Sequence, residues 1–140
     1  MIAIASDHAG FALKEKLKKH LEEIGVEYKD YGTYSTESCD YPVYAKKACS
    51  AVIDGECEKA ILVCGTGIGV SMAANKIKGI RAAVCSDTYS AKFTRLHNNA
   101  NTLCMGARVI GDGLAAEITD IFLTTPFEGG KHQRRIDMFE

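Results

Sequence analysis

The residues best suited to chemistry lie between positions 59 and 71, where an apolar run ends on Cys64 and Gly65, Gly67 and Gly69 follow. Glycine lets a backbone approach a ligand closely, and free N–H groups at the start of a helix favour anionic oxygen. A thiol at such a position ionises more readily than an ordinary cysteine. The stretch therefore predicts an active site in which Cys64 is a base or nucleophile beside an anion-binding loop.

The same glycine loop permits other interpretations. A dinucleotide fingerprint has the form G-x-G-x-x-G, and its third glycine is replaced here by Val70, although Asp87 lies near the spacing of a ribose-binding acid. A Walker loop is excluded because no Gly-Lys-Ser/Thr follows, and a thiol phosphatase would need arginine at position 70. A nucleotide-binding module and a tight turn without a ligand remain as alternatives.

The histidines divide into candidates for this site and residues for which a solvated position is the simpler prediction. His8 follows Asp7 at the end of the first apolar run, and His97 lies at a polar helix exit. His20 lies in mid-helix among lysines, and His132 lies in the basic tail 131–135. The two glycines at 129–130 would let this tail bend over a crevice, including that of a second subunit.

Composition limits the class of protein. The chain has 140 residues, a formal net charge of -1, 46% hydrophobic residues and 25% charged residues, which is ordinary for one globular domain over 1–140. This net charge provides no basic excess for binding nucleic acid by bulk electrostatics. No apolar run approaches the ~20 residues that cross a bilayer, and the N-terminus does not resemble a signal peptide. We therefore expect a cytoplasmic protein whose 6 cysteines are reduced and, without a C-x-x-C motif, bind no metal.

Apolar periodicity predicts strands and helices that alternate along the chain. The predicted strands are 2–6, 26–31, 60–64, 80–85 and 102–105, and the predicted helices are 11–23, 41–53, 70–76, a helix capped by Asp87 that runs to about 97, 114–123 and 136–139. Near-continuous apolar strands indicate a parallel sheet covered on both faces, hence a doubly wound α/β fold. Ligands bind such folds where the strand order reverses, and if the first and third strands flank that point, Asp7 and His8 face the glycine loop.

Seven short motifs, distributed over essentially the whole chain, together resemble the type B ribose-5-phosphate isomerases and the related galactose- and allose-6-phosphate isomerases. The motifs are Asp7-His8-Ala-Gly10-Phe, Asp40-Tyr41-Pro42, Cys64-Gly-Thr-Gly-Ile-Gly69, Ala74-Asn75-Lys76, His97-Asn98, Gly106-Ala-Arg108-Val and Glu128-Gly-Gly-Lys-His132.

The resemblance implies a Rossmann-like α/β/α sandwich with a five-stranded parallel sheet, assembled as a homodimer or homotetramer whose active site is shared between subunits. It implies interconversion of ribose 5-phosphate and ribulose 5-phosphate through an enediolate, in the pentose phosphate pathway, without metal or cofactor. One branch of the family uses a cysteine base at the position of Cys64, and another uses a glutamate elsewhere. This chain is similar to the cysteine branch, because no acid follows its loop at 70–72.

The resemblance also implies roles for individual residues. Cys64 would take the C2 proton and return it at C1, and His97 would open the furanose ring. Asp7 and Thr66 would hold ring hydroxyls, and Tyr41 would line the sugar pocket. The enediolate would be stabilised by Asn98 and by the backbone amides of Gly65, Thr66, Gly67, Ile68 and Gly69. The phosphate ligands would be His8, Arg108, Lys131 and Arg135.

Two alternatives remain within the family. The substrate could be a six-carbon phosphate, allose 6-phosphate or galactose 6-phosphate, or the chain could be an inactive half of a paired isomerase. The presence together of Cys64, His97, Arg108 and Arg135 argues against the inactive half. Many relatives carry arginine where this chain has Lys131, which keeps the charge but not the bidentate geometry.

Overall fold

A computed structural model describes residues 1–140, which form five strands and six helices. The strands are β1 (Ile2–Ser6), β2 (Tyr28–Asp30), β3 (Lys59–Cys64), β4 (Ala82–Val84) and β5 (Thr102–Gly106). The helices are α1 (Phe11–Glu23), α2 (Tyr41–Ile53), α3 (Ile68–Ala74), α4 (Thr88–Asn98), α5 (Asp112–Thr124) and α6 (Lys131–Asp137).

All five strands are parallel and lie in the order β2-β1-β3-β5-β4. The register pairs Ile2 with Lys59 and Cys64 with Gly106, so β1, β3 and β5 end together at one edge. Strand β2 therefore lies on one side of β1, and β3, the next strand along the chain, lies on the other side of β1. The strand order therefore reverses between β1 and β3, which is the condition under which Asp7 and His8 face the glycine loop.

Helices cover both faces of the sheet, as the strands' apolar character predicts. On one face α1, α4 and α5 pack against side chains such as Ile4, Val63 and Leu103. On the other face α2 and α3 pack against Ala5, Leu62 and other residues of small or medium size. The predicted α/β/α sandwich is confirmed, with α6 lying outside it against α4.

Several element boundaries differ from the prediction. The two edge strands, β2 and β4, are shorter than predicted because each pairs with a neighbour on one side only. The last helix begins at Lys131 instead of 136, because Gly129 and Gly130 adopt positive φ angles of 73° and 60° and turn the chain before it. The side chain of Asp87 accepts a hydrogen bond from the Ser90 N–H, so its predicted capping of α4 is confirmed.

Three side chains have surroundings that the sequence did not predict. His20, predicted to be solvated, lies 2.7 Å from the Asp120 carboxylate, and Cys57 is buried. Ile24, an apolar residue that directly follows α1, is exposed. No helix combines the length and apolarity needed to cross a membrane.

Candidate active site

The loop from β3 to α3 is held by glycines that touch neighbouring backbone. Gly67 has a φ of +80°, and a Cβ there would lie 2.9 Å from the carbonyl carbon of Met105. A Cβ on Gly106 would lie 2.6 Å from the carbonyl carbon of Thr66. Real Cβ atoms do not approach backbone so closely, so glycine at both positions lets the loop pack against the end of β5. The loop is therefore fixed by long-range contacts.

The Cys64 sulfur lies at the base of this loop with one hydrogen-bond donor in place. The side chain is 5% exposed, and the Gly67 N–H donates to Sγ at 3.1 Å. An N–H directed at sulfur stabilises negative charge on it. The sulfur therefore lies at the base of the crevice with one peptide N–H directed at it.

Three other backbone donors of the loop are unpaired. The N–H groups of Gly65, Thr66 and Gly69 donate to no acceptor within the chain. The Ile68 N–H is taken by the Thr66 side chain, whose Oγ1 accepts it at 3.2 Å. Free donors beside a base are what a developing oxyanion needs. These three N–H groups are therefore the donors with which the loop could bind an anion, as the sequence predicts.

Asp7 lies next to the end of β3. Its N–H donates to the Val63 carbonyl at 3.2 Å, and its carboxylate accepts the Gly10 N–H at 3.0 Å. A Cβ on Gly10 would lie 2.3 Å from the Val63 carbonyl oxygen, so only glycine lets the start of α1 pack here. Asp7 is consequently held beside the Cys64 loop, with its second carboxylate oxygen free of protein donors.

His8 is oriented by the segment between β2 and α2. Its Nδ1 accepts the Cys39 N–H at 3.2 Å, which leaves the ring proton on Nε2. The Cys39 sulfur lies 3.9 Å from the same nitrogen. His8 can therefore act as an Nε2–H donor to an anionic ligand.

Tyr41 and Arg108 complete this side of the crevice. The Tyr41 ring lies over Gly69, where a Cβ would come within 2.9 Å of it. A Cβ on Gly65 would lie 3.3 Å from the Arg108 guanidinium, and the Arg108 N–H donates to the Gly65 carbonyl at 3.0 Å. The carboxyl edge of the sheet thus brings together Asp7, His8, Tyr41, Cys64, the loop residues Gly65, Thr66, Gly67, Ile68 and Gly69, and Arg108.

The remaining predicted residues lie at the opposite end of the sheet, where the parallel strands begin. Helix α4 ends at Asn98, and Arg81, which precedes β4, donates to the Asn99 carbonyl at 2.9 Å. Strand β5 then begins with Thr102 paired to Ala60 and ends with Gly106 paired to Cys64, a rise of about 13 Å. His97 and Asn98 therefore do not reach Cys64 within one chain. Lys131 and Arg135 lie with them, because α6 packs on α4.

His97 has neighbours that the sequence did not predict. Its ring stacks on His132 at 4.1 Å between centroids and meets the Phe93 ring edge-on at 5.1 Å. His132 was expected in a solvated tail, but its side chain is only 12% exposed, and that prediction is wrong. Glu128 lies 3.4 Å from His132 and is not among the predicted site residues. The spacing of four residues between Glu128 and His132 is the sequence feature from which their contact could have been predicted.

Rival functional groups are excluded by their surroundings. Burial raises the pKa of both Cys49 and Cys85 to about 11 and that of Cys104 well above its ordinary value, so these thiols are protonated at neutral pH. The Asp87 carboxylate accepts both the N–H and the hydroxyl of Ser90, at 2.6 and 2.9 Å. Asp87 is therefore engaged in capping α4 and is not free to bind a ribose.

A known protein family matches almost the whole chain. The sequence profile of the ribose/galactose isomerase family matches residues 2–139. Ribose-5-phosphate isomerase B of Escherichia coli is 52% identical over 136 residues, which cover 97% of this chain and 91% of that protein.

Solved structures agree equally well. A ribose 5-phosphate isomerase of Thermotoga maritima is 55% identical, with a TM-score of 0.96 over 98% of this chain and 94% of its own. Ribose-5-phosphate isomerase B of Mycoplasma genitalium, solved with bound ribulose-5-phosphate, is 43% identical, with a TM-score of 0.93 over 99% of this chain and 92% of its own. The chain belongs to the ribose/galactose isomerase family and is an isomerase of the type B ribose-5-phosphate group.

Proposed function

We propose that this chain interconverts D-ribose 5-phosphate and D-ribulose 5-phosphate through an enediolate, with Cys64 as the base and no metal in the reaction. The observation that carries the proposal is the Gly67 N–H directed at the Cys64 sulfur, beside loop N–H groups that have no acceptor. The Mycoplasma relative, whose structure contains ribulose 5-phosphate, supports the choice of substrate. The enzyme would act in the pentose phosphate pathway. A cytoplasmic location is consistent with its six free cysteines, because cysteines stay reduced in that compartment.

The proton transfer follows from these groups. A C–H beside a carbonyl is a weak acid, so its removal needs a positioned base and stabilisation of the charge that forms on oxygen. Cys64 takes the proton from C2, the bonding electrons become the C1–C2 double bond, and the carbonyl oxygen becomes the enediolate oxygen. A positioned base accelerates such a step by ~10²–10⁴, and one oxyanion donor contributes about 3–4 kcal/mol. The proton then returns to C1 as the C1–C2 double bond is consumed, the C2 oxygen becomes the ketose carbonyl, and the proton of that oxygen passes to the C1 oxygen.

We assign the other half of the site to a second copy of the chain. The partner subunit's His97 would open the furanose ring, and the partner subunit's Asn98 would assist at the enediolate, since both lie at the far edge of their own sheet. Ile68 and Met72, one turn apart on α3 beside the loop, are 54% and 66% exposed. Exposed apolar side chains next to a half-complete site favour burial against another copy. A homodimer, or a homotetramer built from it, is therefore the proposed assembly of the 1–140 domain.

The phosphate would lie at the end of the crevice away from the reacting carbons. His8 and Arg108 are its proposed ligands from the chain that supplies Cys64, and Lys131 and Arg135 its ligands from the partner. Binding energy gained at a remote phosphate orients the sugar for proton transfer. Lys131 holds the phosphate as a point charge, because lysine lacks the planar fork of arginine.

Replacement of the proposed base tests the mechanism. Cys64→Ala should lower kcat for ribose 5-phosphate by at least about 100-fold while the KM changes little, because only the proton carrier is lost. The control is Cys39→Ala, which removes the other thiol near the crevice and keeps the backbone N–H that holds His8. Activity of Cys64→Ala near the parental rate would show that the base is another group.

A substrate panel tests the choice of sugar. The family includes galactose-phosphate isomerases, so ribose 5-phosphate, allose 6-phosphate and galactose 6-phosphate should be compared by kcat/KM, with a chelator present. We expect ribose 5-phosphate to be preferred and the chelator to have no effect. A higher kcat/KM for a six-carbon phosphate would reassign the substrate, and loss of activity with the chelator would contradict metal-free chemistry.

A further inference from the structure

Three metal-binding side chains converge where α6 packs against α4, at the edge of the sheet remote from Cys64. His97, Glu128 and His132 bring two imidazole nitrogens and one carboxylate oxygen within 4.8 Å of one another. Glu128 Oε2 lies 3.4 Å from His132 Nε2 and 3.9 Å from His97 Nε2. These distances define a cluster that the reaction proposed above uses only in part, through His97.

The backbone holds this cluster in place. The Glu128 N–H donates to the carbonyl of Leu96, next to His97, at 3.1 Å. The turn at Gly129 and Gly130 then reverses the chain, so that Glu128 and His132 meet on the same side. The His132 ring lies parallel to the His97 ring, with 12° between their planes. The three donors are therefore brought close together by contacts that do not involve a metal.

We propose that His97, Glu128 and His132 form a binding site for one divalent cation of the Zn²⁺ class. Zn²⁺ binds imidazole nitrogen and carboxylate oxygen at about 2.0–2.2 Å, which places neighbouring tetrahedral ligands ~3.4 Å apart. The Glu128–His132 distance already meets this requirement. Two imidazoles with one carboxylate favour Zn²⁺, Co²⁺ or Ni²⁺ over Mg²⁺ and Ca²⁺, which require mainly oxygen ligands.

Binding requires one local movement. His97 Nε2 must approach the carboxylate by ~0.5 Å, and its ring must tilt out of the stack so that the two nitrogen lone pairs converge. The His97 side chain is 39% exposed and has room to do this, whereas His132 is held more tightly. Water would occupy the fourth ligand position.

The surrounding charge determines how the site is used. Glu128 is the only acid of the cluster, and the basic side chains of Lys131, Arg134 and Arg135 on α6 oppose a bound cation. This balance favours a site that fills at raised metal concentration over one that is permanently occupied. Occupation would remove His97 Nε2 from ring opening and so inhibit the isomerase, a consequence that rests on the proposed function.

Titration of the full chain with Co²⁺ tests the site independently of catalysis, because tetrahedral Co²⁺ absorbs visible light strongly. We expect one equivalent to bind, with displacement by Zn²⁺. His132→Gln and Glu128→Gln should each weaken binding by more than about tenfold, since loss of a direct ligand exceeds the ~10–100-fold cost of losing its supporting contacts. The matched control is His20→Gln, which removes the imidazole of the distant His20–Asp120 pair and should leave binding unchanged.

A competing site is distinguished by its spectrum. The pair of His8 and Cys39 offers an imidazole and a thiol, and Co²⁺ bound there would show sulfur charge-transfer absorption that Cys39→Ser abolishes. Sulfur charge-transfer absorption that is lost in Cys39→Ser, or equal Co²⁺ affinity in the parent and His132→Gln, would overturn the proposal.

Inhibition is measured separately. We expect Zn²⁺ to inhibit isomerisation of ribose 5-phosphate at the concentrations at which it displaces Co²⁺, and His132→Gln to shift both midpoints together. Spectroscopic binding at this cluster without any loss of activity would leave the metal site supported and would instead contradict the role of His97 in the proposed reaction.

Discussion

Lys14 is a lysine without exposed side-chain surface, and it supports the segment that orients His8. Its ammonium donates to both oxygens of Asp30, each at 2.7 Å, and to the carbonyl of Thr33. Burial lowers the pKa of Lys14. Burial opposes ionisation of Asp30 as well, but hydrogen bonds from Lys14, Lys18 and the Gly32 N–H outweigh it and hold the pKa of Asp30 below its ordinary value. The ion pair therefore anchors the start of the segment between β2 and α2, whose Cys39 N–H donates to His8.

Asp30→Asn should destabilise the chain by about 3–5 kcal/mol at neutral pH, because it leaves a buried ammonium without its counter-ion. Since the folded-state pKa of Asp30 is depressed, its carboxylate contributes stability above the unfolded-state value of about 3.9, and this contribution is lost as the pH falls through the folded-state pKa. The difference between parent and variant should therefore shrink below about pH 4. Urea unfolding at a series of pH values measures this difference in the free energy of unfolding. Lys29→Met, which breaks the exposed Lys29–Glu56 ion pair, is the control and should have little effect. A difference that stays constant down to pH 3 would contradict this assignment.

Single residues differed in how well their sequence context predicted them. Cys64 was recognisable because it ends an apolar run before glycines, a local signal. His132 was not, because its burial depends on contact with His97, which is 35 residues away along the chain (132 minus 97) and is brought near only by the turn at Gly129 and Gly130. Local composition around His132 is basic and resembles a solvated tail, so sequence alone favoured the wrong environment.

At the level of elements, the close contact between the β3–α3 loop and the end of β5 determines the geometry around the sulfur. Gly67 and Gly106 permit this contact, and the Gly67 N–H that it positions is the donor to Cys64. The motif spacing predicted a ligand-binding loop but placed the start of α3 at 70 instead of Ile68. That helix begins earlier because Gly67 can adopt the left-handed conformation that precedes it.

Gly106→Ala should therefore damage both stability and catalysis. The added Cβ would lie 2.6 Å from the Thr66 carbonyl, so the backbone must shift, at a cost of about 1–3 kcal/mol, and the donors around Cys64 must move with it. The matched control is Gly113→Ala in α5, where a Cβ meets nothing within 4 Å and should raise stability by up to about 1 kcal/mol. Thermal unfolding and kcat measured on both variants distinguish the two sites. Unchanged kcat in Gly106→Ala would show that the loop contact does not position the catalytic groups.

At the level of the whole molecule, the parallel sheet separates the proposed catalytic groups. In a parallel α/β chain every strand ends at one edge and every connecting helix ends at the other. Cys64 ends a strand and His97 ends α4, so one chain holds them at opposite edges. The order of strands and helices already predicts this separation. A helix that leads into a parallel strand must end at the side of the sheet where that strand begins, and α4 leads into β5.

Mixing two inactive variants tests whether the proposed site spans two subunits. In a dimer of one Cys64→Ala chain and one His97→Gln chain, the site that combines the unmodified Cys64 with the partner's unmodified His97 is intact. Coexpression in equal amounts should therefore restore about a quarter of the parental activity, because half of the dimers are mixed and each has one of two sites. Each variant alone serves as the inactive control. No recovery in isolated mixed dimers would mean that both groups act from the same chain.

Sequence by itself determined the fold class, the strand and helix order and the identity of most candidate residues, because apolar periodicity and short motifs are local properties of the chain. Tertiary structure alone decided which N–H reaches the Cys64 sulfur and which loop donors stay free. It also decided that His97 lies against His132 and Glu128 and not in the crevice of its own Cys64. These are distances between segments remote in sequence, and they are set by how closely the glycine-containing turns let the backbone pack.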